Sequence, residues 1–339
     1  MHLIPPLLRA GYKLREVRIV DASGRQIAGF GTQSFGRALH GRYLSILRGD
    51  LAQQIYGAVE GRVETLFGDE VCALDEDGNG VTVDFAHASS RRFDLVIGAD
   101  GLHSLVRRLG FGPESRFEAY LGYGAVSFAA NGYPHRDEDA YVAYCEPGKQ
   151  VARFALRDGR TVFFLIFAAT DWPAVGRHDT AAQKRKLHQI FDHAGWECPA
   201  ILQALDQTED LYFDAVSQIR MDRWHRGRLA LIGDAAFSPS LLAGQGAAFA
   251  MASAYLLAGE LKRAGGDFRI AYPAYQDRFK PFIERKQREA AKFAKQFAPK
   301  TYLGLFARNI MTRLLDAPLL GDLMVKRLFA DRFTLPEPD

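Results

Sequence analysis

Apolar and polar residues alternate in steps of two through much of the first half of the chain. Between residues 117 and 169 four such runs follow one another, and the last two meet at Asp158-Gly159, a pair typical of tight turns. Similar runs flank turns at residues 21–24 and 77–80, and a further short run lies at residues 62–67. Because alternation places one set of side chains on each face of a strand, the pattern predicts hairpins, a short strand and a β-rich block.

Two runs of nearly unbroken apolar residues depart from this alternation. They are FDLVIGADG at residues 93–101 and GRLALIGDAA at residues 227–236, and each ends in an acid beside a glycine, Asp100 and Asp234. Such runs are typical of strands buried on both faces in a parallel sheet. Ligands of these sheets bind outside the carboxyl ends of the strands, where a carboxylate can accept hydrogen bonds from hydroxyl groups. One Asp-Gly pair after a strand is usually only a turn, but two with the same flanks favour a site.

Helical spacing dominates the rest of the chain. Apolar residues recur every three or four positions in segments that predict helices over residues 50–60 (with Asp50 as N-cap), 181–194, 246–261, 268–297 and 302–329. No charged residue occurs from Ala235 to Gly259, a length sufficient to cross a bilayer. Pro239 and the turn at residues 244–246 divide that run, so we expect a buried turn and helix and no transmembrane segment.

Composition narrows the function classes. Apolar residues make up 48% of the 339 residues, enough for a substantial core, and the length suggests two domains or one domain with an insertion. The formal net charge of +3 gives no reason to expect a nucleic-acid partner. The three cysteines are widely spaced and match neither a disulfide framework nor a zinc site. Because the first residues also lack the features of a secretory signal, we expect a cytoplasmic protein.

The two acid-glycine segments carry a family resemblance. DLVIGADGLHSLVR (residues 94–107) and GDAAFSPSLLAGQG (233–246) resemble the second and third fingerprints of the group A FAD-dependent monooxygenases, the para-hydroxybenzoate hydroxylase and tetracycline-inactivating type. ILRGDLAQQI (46–55) is similar to the start of a helix that contacts the cofactor in that family. The resemblance extends over nearly the whole chain, and the third fingerprint is its most specific part.

The resemblance implies a set of cofactor-binding residues. In the second fingerprint Asp100 and Gly101 would serve FAD and the passage of NADPH or NADH, with Ser104 and Arg107 bracing the turn. In the third, Gly233 and Asp234 would hold the ribityl chain of FAD. Arg48 would contact the cofactor from its helix. The isoalloxazine edge would be lined by Pro239, Gly244, Gln245, Gly246 and Ala247. No catalytic protein residue and no metal ligand is predicted, because the cofactor supplies the chemistry.

The chain departs from the family pattern in places. Phe237 occupies a position usually held by His, Ala248 one often held by Asn, and Pro239 lies a residue or two early. No G-x-G-x-x-G occurs, although the family begins with a βαβ unit that seats the pyrophosphate on that motif. We therefore expect a family member that lacks this front unit and binds FAD weakly or not at all, its functional form being extended upstream; a flavin-free remnant acting as a binding protein is an alternative.

The expected fold class is α/β: a Rossmann-like FAD-binding domain of the glutathione-reductase type, N-terminally incomplete, with an inserted antiparallel substrate sheet and C-terminal helices. We assign residues 1–115 to the first part of the FAD-binding domain, with the hairpin within residues 17–46 joining the substrate sheet. Residues 116–220 form the substrate domain and residues 221–300 the second part of the FAD-binding domain. The C-terminal helical segment covers residues 301–339.

The family's reaction is the expected function. NAD(P)H reduces FAD, O₂ adds to give a flavin C4a-hydroperoxide, and one oxygen atom passes to an aromatic, polyketide-like or quinone-type small molecule. A reductase or halogenase of the same fold is an alternative. The β-rich block contains many aromatic residues, which could roof a flat apolar substrate or simply pack the sheet: Tyr120, Tyr123, Phe128, Tyr141, Tyr144, Phe154, Phe163, Phe164 and Phe167.

Positive charge is concentrated near the C-terminus, with 16 Lys or Arg against 7 Asp or Glu from Lys262 to Arg332. This is most simply a solvated helical face. Because apolar and basic residues are mixed at helical spacing over residues 293–315, contact with an anionic membrane surface is an alternative. From the resemblance we favour a helix that packs across both domains.

Overall fold

The computed structural model describes residues 3–38, 41, 43–134, 136–170, 175–317, 321–323, 325 and 333–337. Its strands are β1 (Glu16–Val20), β2 (Gln26–Gly31), β3 (Val71–Asp77), β4 (Gly80–Phe85), β5 (Arg91–Phe93), β6 (Val96–Gly98), β7 (Glu118–Ala130), β8 (Ala140–Glu146), β9 (Lys149–Ala155), β10 (Thr161–Ala168), β11 (Leu211–Ile219), β12 (His225–Arg226) and β13 (Leu229–Leu231). Its α-helices are α1 (Ile4–Ala10), α2 (Gln33–Ala38), α3 (Arg48–Gly57), α4 (Leu105–Phe111), α5 (Thr180–Phe191), α6 (Cys198–Asp206), α7 (Asp234–Phe237), α8 (Gly246–Arg263), α9 (Phe268–Phe297) and α10 (Tyr302–Leu314).

The chain divides into two compact units, of which the first comprises residues 1–64, 122–215 and 296–331. It is centred on a seven-stranded sheet in the order β11-β7-β10-β9-β8-β1-β2. The predicted block over residues 117–169 forms β7 to β10. The β1–β2 hairpin joins the sheet because β1 pairs in parallel with β8. Helices α5 and α6 cover one face, where Leu187, Phe191 and Leu205 pack with Phe163 in a continuous apolar core.

The second unit comprises residues 65–121, 216–295 and 332–339. Strands β3, β4 and β5 form an antiparallel sheet, and β6, β13 and β12 form another in which β13 pairs in parallel with β6. The core of this unit is rich in aromatic rings, and Trp224 lies 4.7 Å from Phe237 between ring centroids. Tyr275 and Phe279 of α9 complete that cluster. Dense packing of large rings gives the two short parallel strands a rigid support.

The boundaries between the two units lie near the predicted boundaries of the substrate domain. Their limits at residues 122 and 216 lie six residues after and five residues before the predicted limits at 116 and 221. Residues 1–64, which we assigned to the FAD-binding domain, are grouped with the sheet unit.

Three local predictions are wrong. Residues 62–67 form no strand, and Val63 and Phe67 are exposed there. Helix α3 begins at Arg48 after Leu47 as N-cap, so Asp50 lies inside its first turn. The helix predicted over residues 302–329 is interrupted, since α10 ends at Leu314 and residues 321–323 and 325 are again helical. Residues 318–320, 324 and 326–329 of that prediction lie outside the described residues. Pro318 explains an early end, since proline disfavours helix in the residue before it.

Helix α10 packs on the edge of the sheet in its own unit. Arg313 Nε donates to the Ile27 carbonyl at 3.0 Å, and the Gly31 amide donates to Asp316 Oδ1 at 2.8 Å. Across the described ranges, no helix has both the length and the apolar character that a membrane crossing requires. The charge-free run over residues 235–259 is divided between α7, a 3₁₀ turn at Leu241–Ala243 and α8.

Candidate ligand site at the two acid-glycine turns

The parallel pairing of β6 with β13 brings the two acid-glycine turns to one edge of a sheet. Leu229 lies opposite Val96, Leu231 lies opposite Gly98, and the Ile232 amide donates to the Gly98 carbonyl at 2.9 Å. Both strands therefore end on the same side, and Asp100 and Asp234 follow directly. This is the carboxyl edge at which open α/β sheets bind ligands.

In the first turn the Asp100 carboxylate holds the start of a helix. Asp100 Oδ1 accepts a hydrogen bond from Ser104 Oγ at 2.5 Å, and Asp100 Oδ2 accepts one from the Val106 amide at 3.0 Å. Ser104 is the N-cap of α4, and its Oγ also accepts from the Arg107 amide at 2.9 Å. Oδ2 thus satisfies a backbone N–H that the helix start leaves without a partner, and Oδ1 orients the hydroxyl group of the N-cap. Asp100 itself remains exposed.

The Arg107 side chain ties the first turn to the second. It is fully buried, with Nη1 donating to the Ala235 carbonyl at 2.8 Å and Nη2 donating to the Leu102 carbonyl at 2.6 Å. Nη2 also lies 3.2 Å from Glu114 Oε2. Burial lowers the pKa of the Arg107 guanidinium, and the Glu114 carboxylate opposes that shift. A buried guanidinium with a carboxylate and two carbonyls is a stiff connection, because each acceptor would lose its partner if the arginine moved.

The second turn brings a carboxylate beside the start of a long helix. Gly233 has φ of +57°, and a Cβ there would lie 3.0 Å from the Ala250 Cβ, so both the backbone angle and the space require glycine. Asp234 Oδ1 lies 3.6 Å from the position that a Cβ on Gly246 would occupy. Because Gly246 begins α8, the Asp234 carboxylate lies close to N–H groups that have no partner within that helix.

The remaining predicted residues have different surroundings. Gly244 is exposed with φ of +66°, and a Cβ on it would meet no atom within 4 Å. Pro239 is buried, Gln245 is the N-cap residue of α8, and Ala247 is exposed in its first turn. Except for Arg48, the predicted set lies entirely in the second unit: Asp100, Gly101, Ser104, Arg107, Gly233, Asp234, Pro239, Gly244, Gln245, Gly246 and Ala247.

Arg48 belongs to the first unit. It is the first residue of α3, it is exposed, and its guanidinium lies 5.6 Å from the centroid of the Tyr212 ring. Its predicted contact with the cofactor stays a prediction.

Sequence reasoning missed two buried amides behind the second turn. Gln218 and Gln287 donate to backbone carbonyls of residues 237–239. A signal was present, because Gln287 continues the apolar stripe of α9 through Phe279, Ile283 and Ala290, where a polar side chain requires buried partners.

Comparison with known proteins identifies the family. A family model described as FAD binding domain matches residues 53–265, more than half of the chain. A flavin-dependent monooxygenase from an unknown prokaryotic organism is 32% identical over 286 residues, covering 84% of this chain and 72% of that protein. The chain belongs to the group A FAD-dependent monooxygenases.

This monooxygenase has further relatives. An uncharacterised protein of Mycobacterium tuberculosis is 39% identical over 277 residues, covering 81% of this chain and 74% of its relative. The crystal structure of the tetracycline destructase Tet(55) matches with a TM-score of 0.81 at 28% identity, covering 99% of this chain and 84% of that one. The predicted family, the α/β fold class and FAD as cofactor are confirmed.

The residues at the sheet edge fit a flavin cofactor. Gly101 and Gly244 leave open space where a side chain would stand, so a ligand can approach the backbone there. The Asp234 carboxylate supplies an acceptor for polyol hydroxyl groups, and the N-terminus of α8 supplies donors with the positive end of the helix dipole. Acceptors and donors side by side suit a ligand with both a hydroxylated chain and a polar ring edge.

Proposed function

We propose that this monooxygenase uses NADPH or NADH and O₂ to hydroxylate an aromatic, polyketide-like or quinone-type small molecule. The observation that carries the proposal is the position of Asp234, beside Gly246 and at the carboxyl edge of β13. Bound FAD would supply the redox chemistry, accepting reducing equivalents from the nicotinamide and reacting with O₂.

The protein's own residues then bind and orient the cofactor. Asp234 accepts hydrogen bonds from the ribityl hydroxyls, and the start of α8 with Gly244 and Gln245 borders the isoalloxazine. Asp100 and Arg107 hold the neighbouring turn in the shape that admits the nicotinamide. For Arg48, the proposed contact with the cofactor rests on the family resemblance of residues 46–55 alone.

The aromatic residues of the sheet divide into two groups, which sharpens the substrate proposal. Phe128, Phe163 and Phe167 are buried in the core beneath α5 and α6. Because adjacent strand residues point to opposite faces, Phe164, which follows Phe163, lies on the other face, where Tyr141 and Phe154 are half-buried. We assign the substrate contact to this second group. Support comes from the similarity to Tet(55), a tetracycline destructase.

The decisive experiment measures whether oxidation of NADPH or NADH is coupled to formation of an oxygenated product. The 339-residue chain is purified, its FAD content is read from the visible spectrum, and NADPH or NADH oxidation is followed with a panel of flat aromatic compounds that includes a tetracycline. We expect substrate-dependent oxidation and a product that mass spectrometry shows to carry one added oxygen atom. Oxidation without an oxygenated product would instead indicate a reductase, and a halogenated product a halogenase. A chain that takes up no FAD would contradict the proposed activity of this chain and would agree with the weak FAD binding that the missing G-x-G-x-x-G predicts.

We also propose that the enzyme acts in the cytoplasm on small molecules, without a nucleic-acid partner. The support is the set of free cysteines, among them the exposed Cys72, since exposed thiols persist in a reducing compartment. If anionic liposomes do not retain the protein in flotation, the apolar and basic residues over 293–315 serve packing alone.

A further inference from the structure

The segment between α7 and the 3₁₀ turn presents three consecutive carbonyls to two buried amides. Gln287 Nε2 lies 3.0 Å from the Phe237 carbonyl oxygen, 3.3 Å from that of Ser238 and 2.7 Å from that of Ile219. Gln218 Nε2 donates to the Pro239 carbonyl at 3.0 Å and to the Gln287 carbonyl at 2.7 Å. These two amide groups therefore hold every carbonyl of residues 237–239.

The orientation of the Gln218 amide is itself fixed. Gln218 Oε1 accepts hydrogen bonds from Arg220 Nε at 3.1 Å and from Arg220 Nη2 at 2.7 Å. A guanidinium can only donate, so it selects the oxygen of the amide and turns the amide nitrogen toward Pro239. Arg220 thus fixes which end of the Gln218 amide faces the loop, so that its nitrogen donates to the Pro239 carbonyl.

The loop that these amides hold is strained. Ser240, directly after Pro239, has φ of +103°, a conformation that side-chain-bearing residues rarely adopt. Its Oγ accepts from the Leu242 amide at 3.3 Å. A strained backbone persists only when its surroundings over-determine it. The two amides and the aromatic cluster around Phe237 are the surroundings that hold this loop.

We infer that Gln287 and Gln218 are positioning residues for the flavin ring. The inference rests on the proposed contact of Pro239, Gly244 and Gln245 with the isoalloxazine. The two glutamines fix the carbonyl side of the 237–239 segment, so the opposite side of the loop keeps one shape in the absence of the cofactor. A neutral amide suits this task, because a charged donor in the same apolar surroundings would require a buried counter-ion.

The chain offers a matched control in a third buried glutamine. Gln183 lies on α5, and its Nε2 donates to the Gly176 and Arg177 carbonyls at 2.9 Å each. We compare Gln287→Met, Gln218→Met and Gln183→Met, since methionine keeps the length of the side chain and removes its amide. Hydrogen exchange of the flavin-free protein is measured over residues 237–244, together with the dissociation constant for FAD and the midpoint potential of the bound flavin.

Gln287→Met and Gln218→Met should each speed amide exchange over 237–244 and raise the Kd for FAD about tenfold, with a shift in the flavin midpoint potential. Gln183→Met should change loop exchange and the Kd for FAD by less than twofold and leave the flavin potential unchanged, even where it lowers the unfolding midpoint equally. The inference is overturned if Gln183→Met and Gln287→Met act alike on the loop. If the unsubstituted chain binds no FAD, the proposed function fails, and loop exchange in the flavin-free protein alone decides whether the glutamines position the loop.

Discussion

The two acid-glycine turns look alike in sequence and use their acids differently. After β6, both oxygens of Asp100 accept hydrogen bonds from the start of α4. After β13, Asp234 is the first residue of the short helix α7, and its carboxylate lies beside Gly246, the first residue of α8. The difference lies in the distance along the chain from each acid to the helix beside its carboxylate. Asp100 precedes Ser104, the N-cap of α4, by four residues, whereas the rest of α7 and a 3₁₀ turn lie between Asp234 and Gln245, the N-cap of α8.

That distance decides which role a carboxylate can take. A helix that begins four residues later can fold back onto the acid and occupy it. Helix α8 follows an N-cap eleven residues after Asp234, and the rest of the unit places its start beside that acid. A shared motif of strand, acid and glycine therefore predicts a sheet edge, and the residues after it predict which helix lies beside the acid.

The connection between the turns should give the largest effect. Arg107→Met leaves the Ala235 and Leu102 carbonyls without their donor and Glu114 without its buried partner. We expect the free energy of unfolding to fall by about 3–5 kcal/mol, measured by urea denaturation. The exposed neighbour Arg108 is the control, and Arg108→Met should change it by less than about 0.5 kcal/mol. Equal effects would show that Arg107 does not join the two turns.

Removing the second acid should act on the cofactor and much less on the fold. We expect Asp234→Ala to raise the Kd for FAD by roughly 10- to 100-fold, because a charge-assisted hydrogen bond is lost. The measurement is quenching of flavin fluorescence on titration with protein. Asp222→Ala, at an exposed acid of the same unit, should leave the Kd unchanged. A normal Kd in Asp234→Ala would remove Asp234 from the site.

Removing the first acid should act mainly on the fold. Asp100→Ala deletes the acceptor at the start of α4, and we expect the free energy of unfolding to fall by about 1 kcal/mol. Asp100→Asn keeps an acceptor oxygen and should recover most of that loss. If Asp100→Ala instead raised the Kd for FAD as much as Asp234→Ala without affecting unfolding, the contrast between the turns would be wrong.

The smallest expected effect on unfolding comes from a third acid, which serves as a reference for the other two. Asp77 lies in the β3–β4 turn, where hydrogen bonds from Arg92, Asn79 and Gly80 lower the pKa of its carboxyl to about 2. Because the folded pKa lies below the ordinary value of 3.8, its contribution is complete above pH 4 and is lost as the pH falls toward 2. Asp77→Asn should reduce the fall of the unfolding midpoint between pH 4 and pH 2. An unchanged fall would contradict the assignment of this pH dependence to Asp77.

Sequence patterns predicted the elements of the fold better than the contacts of the site. Alternation located β7 to β10, and the two apolar runs located β6 and β13, because each pattern reports burial of its own segment. The bond from Arg107 to the Ala235 carbonyl joins residues 128 positions apart, which no local pattern reveals. Residues 62–67 alternate as a strand would, yet no strand pairs with them. Gln287 is a different case. Its place in an apolar stripe indicated that the amide has buried partners, but it did not indicate which groups those partners are.

The parallel ladder between β6 and β13 also governs how the protein folds. It pairs Leu229 with Val96, and the chain between them includes most of the seven-stranded sheet. Closing a loop of about 130 residues costs entropy before any contact offsets it, and pairings of such sequence separation form slowly. The carboxyl edge that carries Asp100 and Asp234 is thus assembled late, after the intervening strands have shortened the loop. A nascent chain completes this edge only once β13 has left the ribosome.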